Sequence, residues 1–142
     1  MTSSQEIDRR LFEQIRDQLF TSIISDALDS SGFRNQAMSS KIRPIDDELV
    51  LVGRARTASF MEVWHHDEGT NPYELEIQCG GVYVMPGDLV VGDVDGLVVV
   101  PLSVEEKVLE FAFKKVSGES NTLKDLQRGD KLADVFARYG IL

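Results

Sequence analysis

Two arginines two residues apart, Arg54 and Arg56, and two aspartates at the same spacing, Asp93 and Asp95, carry the chemistry most readily read from this chain. Side chains of an extended segment alternate with period two, so Arg54 and Arg56 fall on one face of their strand, whereas Asp93 and Asp95 lie in a turn. Neighbouring guanidinium groups need an anion or carboxylates close by. Either a dicarboxylate ligand or an ion pair at a surface or interface meets that need. The aspartates offer oxygen donors of the kind hard cations prefer. Equally, Asp95-Gly96 is a tight-turn dipeptide, because Gly accepts a positive φ and Asp bonds back to its own backbone.

Other reactive side chains are less promising. His65 and His66 are adjacent, so on a strand they face opposite ways and share a metal poorly; in a loop they are simply exposed. Cys79 is the chain's one cysteine, which excludes an internal disulfide and a thiolate cluster. No base adjoins it, and packing beside Gly80 and Gly81 is its simplest use. Those glycines precede a strand rather than a helix, so they do not form a phosphate loop.

Several elements must position these residues. Ile7, Leu11, Phe12, Ile15, Leu19 and Phe20 recur at spacings of three and four and predict an N-terminal helix. Thr21 and Ser22 can cap a second, shorter helix that Gly32 closes. Residues 49–61 read as a strand carrying Arg54 and Arg56, and residues 63–78 as loop. Short strands at 82–85, 89–91 and 97–100, separated by Pro86-Gly87-Asp88 and by the turn at 92–96, suggest an antiparallel meander. Ser103-Val104-Glu105-Glu106 reads as a capping box opening a helix that ends at Gly118, and a last helix spans 131–139. The fold class is α/β, or α+β mixed, in a single domain of 142 residues. Its expected core includes Val82, Val84, Leu97, Val99, Val108 and Phe111.

Composition narrows the function. Lys and Arg total 15 against 24 Asp and Glu, a net charge of -9, which argues against a nucleic-acid partner. No Lys or Arg occurs from Thr57 to Glu106, where ten acidic residues lie. This segment suits a cation or a basic protein surface, or is a solvated acidic face. Its apolar runs are too short for a membrane helix, and the polar start lacks a signal-peptide pattern, so the expected location is cytoplasmic.

Taken in order, Ser25-Asp26-Ala27-Leu28-Asp29, Leu51-Val52-Gly53-Arg54-Ala55-Arg56-Thr57, Asn71-Pro72-Tyr73-Glu74, Cys79-Gly80-Gly81-Val82, Met85-Pro86-Gly87-Asp88 and Gly92-Asp93-Val94-Asp95-Gly96 resemble the RraA-like proteins. Phe136-Ala137-Arg138-Tyr139-Gly140-Ile141-Leu142 extends the resemblance to the end of the chain. That family includes class II aldolases acting on 4-hydroxy-4-methyl-2-oxoglutarate and 4-carboxy-4-hydroxy-2-oxoadipate, and regulators of ribonuclease E. The resemblance implies a swivelling β/β/α fold, a homo-oligomer (trimer or hexamer), and a divalent metal, Mg²⁺ or Mn²⁺. It implies as partners either a small 2-oxo acid substrate cleaved to pyruvate or, in a non-catalytic regulator, a basic protein. Under it Asp93, Asp95 and Glu119 are the candidate catalytic residues and Arg54 and Arg56 the candidate substrate-binding residues, with the metal ligands unassigned. Family members carry a further segment before the Gly-Gly-Val strand, with an Arg-Asp element for substrate and cation. Here that middle segment is absent near 76–80, and the chain's Arg16-Asp17 lies in the first helix instead. Weak or absent catalysis is therefore expected.

Overall fold

The structure, a computed structural model, describes residues 4–58 and 74–139. Helices α1 (Ser4–Gln18) and α2 (Thr21–Ser30) follow the predicted apolar stripe and bury Ile15, Leu19, Ile23, Ile24, Ala27 and Leu28. Strands β1 (Leu51–Arg54), β2 (Ile77–Cys79), β3 (Val82–Val84), β4 (Leu89–Asp93) and β5 (Gly96–Val100) follow. A 3₁₀ turn at Leu102–Val104 leads into α3 (Glu105–Gln127), and α4 (Leu132–Tyr139) closes the described chain.

The strands form two antiparallel sheets, one ordered β1-β4-β5 and the other pairing β2 with β3. The meander expectation is therefore corrected: β3 pairs back with β2, a strand hidden within the segment read as loop, and does not pair with β4. Register explains the layering. Val52, Val91 and Val98 face one another across the larger sheet, as do Leu89 and Val100, and these side chains meet α1, α2 and α3 in the main core. Val99, on the alternate face, packs with Val82 and Val84 of the small hairpin, supported by Met38, Ile77 and Cys79. Hairpin, sheet and helices thus stack as three layers, a mixed α/β fold.

Each edge strand of the larger sheet has a hydrogen-bonding partner outside the sheet. Arg16 of α1 donates to the Val52 carbonyl at 3.3 Å, while the Met38 N–H donates to the Leu97 carbonyl at 2.8 Å beyond β5. Unpaired strand edges invite association with other chains, and each of these contacts occupies one edge carbonyl.

Two expectations about the C-terminal half are also corrected. The helix does not stop at Gly118 but runs to Gln127, and Phe111 is 44% exposed rather than core. The buried stripe of α3 is Val108, Leu109 and Ala112, which leaves Phe111 outside it. Leu97 is half-buried, whereas Val82, Val84, Val99 and Val108 are buried as predicted. Further along, α4 packs on α3 and buries Val135. Asp125 fastens this pair, accepting hydrogen bonds from Tyr139 Oη at 2.8 Å and Arg138 Nη1 at 2.7 Å. The Tyr139 hydroxyl, followed by the Arg138 guanidinium, holds the Asp125 carboxyl below its ordinary value against the opposing effect of burial. No helix among the described residues is long and apolar enough to cross a membrane.

Candidate functional site

Strand register decides where the candidate residues go. Arg54 lies opposite Leu89 on the helix-facing side of the sheet, and Asp93 lies four residues further along β4 on the same side. At the usual strand rise, that separates them by about 13 Å. The candidate clamp and the candidate acids therefore occupy opposite ends of one sheet.

At one end, Arg54 forms a network rather than an open site. Its Nε and Nη2 donate to Asp8 Oδ1 of α1 at 3.1 and 2.7 Å. Nη2 also donates to Glu105 Oε1 at 2.9 Å, Nη1 donates to Glu105 Oε2, and Nη1 reaches the Gly87 carbonyl at 3.5 Å. The Phe12 ring lies 5.7 Å from the guanidinium carbon. Hydrogen bonding to Glu105 is the largest influence raising the Arg54 pKa, and burial opposes it. Arg56 lies just past the end of β1 and is exposed, with a 3.4 Å contact to Glu74 among the described residues. The two guanidinium groups do not converge on one anion.

At the other end, Asp93 caps α2. Its Oδ2 accepts the Thr21 N–H at 2.8 Å, and its Oδ1 accepts the Thr21 hydroxyl at 2.7 Å and the Asp95 N–H at 2.9 Å. Residue Phe20 occupies the N-cap position and offers no side-chain cap, so the cap comes from a strand far away in sequence. Asp95 is exposed in the β4–β5 turn. Glu119 is half-buried on α3, 14 residues beyond Glu105 and so about 21 Å along the helix axis.

The divalent cation implied by the resemblance can be tested against these donors. Both Asp93 oxygens are committed to α2 and to the turn. Among the described residues, no group of three or more His, Cys, Asp or Glu side chains is placed to hold a metal ion. The described residues do not fit a metal centre. His65, His66 and the Asn71-Pro72-Tyr73 motif lie outside the described residues. Asp93→Ala should therefore lower stability by about 1 kcal/mol, the usual worth of a cap, and Tm by about 4 °C. Mn²⁺ affinity measured by calorimetry should not change.

Sequence reasoning missed Asp8, Glu105, Thr21 and Asp88 as partners. Asp88 is buried, and its oxygens accept the Met85 N–H at 2.8 Å and the Leu102 N–H at 3.0 Å. The Pro-Gly-Asp turn was the available signal for it; the others come from distant elements. These contacts also change the meaning of the acidic segment, since Glu74, Asp88, Asp93 and Glu105 are engaged within the chain. An open apolar groove, floored by Ile45, Leu49, Leu51 and Leu97, adjoins Asp93. Arg43, which also lines it, donates to the Val94 carbonyl at 3.1 Å.

Comparison with known proteins places this arrangement. The solved structure of an uncharacterized protein from Pseudomonas syringae pv. tomato shares the fold at a TM-score of 0.68 and 17% identity, covering 89% of this chain and 96% of that one. A second structure, described as novel cellulases from microbes associated with the gut ecosystem, matches at a TM-score of 0.65 and 16% identity, over 80% of this chain and 87% of that one. In sequence, a Halalkalibacterium halodurans protein named "Putative 4-hydroxy-4-methyl-2-oxoglutarate aldolase" is 51% identical over 47 residues, 33% of this chain and 22% of that relative's length. Residues 61–99 match the family model described as RraA-like, Aldolase/RraA. The sequence likeness to RraA-like proteins thus lies over residues 61–99, and the chain spans 22% of the length of the curated relative it matches.

Proposed function

We propose that this chain is a carbon–carbon lyase of the RraA-like type that cleaves a 4-hydroxy-2-oxo diacid to pyruvate, with turnover far below that of a relative carrying the complete family segment. The observation that carries the reading is the 51% identity, over 47 residues, to the relative bearing the aldolase name.

In such a cleavage a base takes the 4-hydroxyl proton and C4 becomes a carbonyl as the C3–C4 bond breaks. The bonding pair passes to the departing pyruvate enolate, which then takes a proton at C3. The enolate and the substrate carboxylates all need positive charge or hydrogen-bond donors. Arg56, exposed and in contact with Glu74, is the more available cation. Arg54 already satisfies two carboxylates and a carbonyl. Of the two candidate arginines only Arg56 is readily available, and one guanidinium for two carboxylates and a developing enolate leaves at least one charged contact unmade. The absence of such a contact costs about a hundredfold or more in rate.

Pyruvate release from 4-hydroxy-4-methyl-2-oxoglutarate, followed by coupled lactate dehydrogenase with Mg²⁺ or Mn²⁺ supplied, is expected at about one hundredth or less of a full-length relative's rate. Arg56→Ala should lower that residual rate further. Turnover equal to the full-length relative's would overturn the slow-enzyme reading, and a complete absence of pyruvate would overturn the lyase reading.

A further inference from the structure

We propose that Asp8 is an intramolecular occupant of a carboxylate site on Arg54, so that the opening turns of α1 act as a removable strap over that site. The inference rests on the lyase reading above only for the ligand class, a 2-oxo dicarboxylate.

A guanidinium presents two edges to carboxylates, and here each edge is taken by a different one. The Nε and Nη2 edge holds Asp8 at 3.1 and 2.7 Å, and the Nη1 and Nη2 edge holds Glu105. Two carboxylates share one cation, so the departure of either leaves the guanidinium paired with the other.

The two partners are not held equally. The Glu105 side chain is 12% exposed and opens α3, which is anchored in the core three residues later by Val108. The Asp8 side chain is 29% exposed and sits on a lightly held stretch of α1. Ile7 is exposed and Leu11 and Phe12 are only partly buried, so the first fully buried side chain of the helix is Ile15. Segments with few buried contacts open at low free-energy cost. An external carboxylate arriving at the Nε and Nη2 edge replaces a like group, and the Glu105 edge stays as it is. Asp8 therefore lowers the apparent affinity for an outside carboxylate by the fraction of time it occupies the edge.

Calorimetric titration of the full chain with 2-oxoglutarate is the direct test. Asp8→Ala is expected to bind about tenfold tighter than the native sequence, as removing a mostly bound internal competitor requires. Asp17→Ala makes the same charge change on an exposed position of α1 and should give no such gain. An Asp8→Ala protein with native far-ultraviolet circular dichroism and unchanged affinity overturns the proposal, as does an equal gain from Asp17→Ala. A second measurement needs no variant: hydrogen exchange at residues 5–10 of the native chain should quicken with saturating 2-oxoglutarate and not with sodium chloride at equal ionic strength. Unchanged exchange at saturation overturns the strap. Neither readout needs turnover, so binding without pyruvate release counts against the lyase reading alone. Pyruvate release without the expected binding changes counts against the strap alone.

Discussion

Arg54→Ala is expected to cost about 3 kcal/mol of unfolding free energy, the low end of the penalty for breaking a buried ion pair, because the side chain is 24% exposed. The loss has a definite origin. Asp8 and Glu105 would be left facing each other without their shared cation, and the Gly87 carbonyl and Phe12 ring would lose a partner as well. For a chain of this length the deficit corresponds to a Tm lower by about 10 °C. Urea unfolding should show a lower midpoint at an unchanged slope, since the surface exposed on unfolding stays the same. Arg54→Lys should recover less than half, because an ammonium cannot offer two planar edges to two carboxylates. Arg56→Ala should stay within about 0.5 kcal/mol, as expected of an exposed pair. Equal losses at the two positions would show that the Arg54 network carries no special weight.

The second large effect is expected at Gly80. Its φ is +59°, and a Cβ built there would lie 2.7 Å from Ile42 Cδ1 and 2.8 Å from Met38 Cβ. The isoleucine tip can move aside, but the methionine Cβ is fixed by its backbone. Gly80→Ala should therefore cost about 3 kcal/mol, combining left-handed strain with overpacking. Gly81→Ala separates the two contributions. Gly81 also has a positive φ, +87°, with nothing within 4 Å of its added Cβ, so only the strain of about 1 kcal/mol should appear. Ile42→Val in the Gly80→Ala background should restore part of the difference. Chemical unfolding of the four proteins would decide it.

These sites show what the sequence made legible. Spacing located α1, the Gly32 stop bounded α2, and the turn chemistry of Pro86-Gly87-Asp88 and Asp95-Gly96 located β4 and β5, because these signals are local. The three-residue strand β2 was too short to show periodicity, and α3 continues past Gly118 because one glycine costs a helix only about 1 kcal/mol. Capping was misread for a related reason. Local candidates Thr21, Ser22 and Ser103 were available, yet Asp93 caps α2 from 72 positions away, and Asp88 holds the Leu102 N–H from 14 away. Long-range caps leave no local pattern. The acids that read as a site are thus partly explained as the means by which strands hold helix starts, and Arg54 as the cation that ties α1, β1 and α3 together.

The pairing of β1 with β4 has a consequence in chain-entropy terms. Arg54 sits opposite Leu89, so the strands are joined by all the intervening chain, including β2 and β3. Closing such a loop costs free energy that grows only with the logarithm of its length, about 0.6 kcal/mol for each doubling. The residues that seal the sheet, Val52 on Val91 and Val91 on Val98, lie outside that connection. Lengthening or shortening the connection before Ile77 therefore changes the closure cost by less than one buried methyl group is worth. Length at this point is thermodynamically cheap to vary.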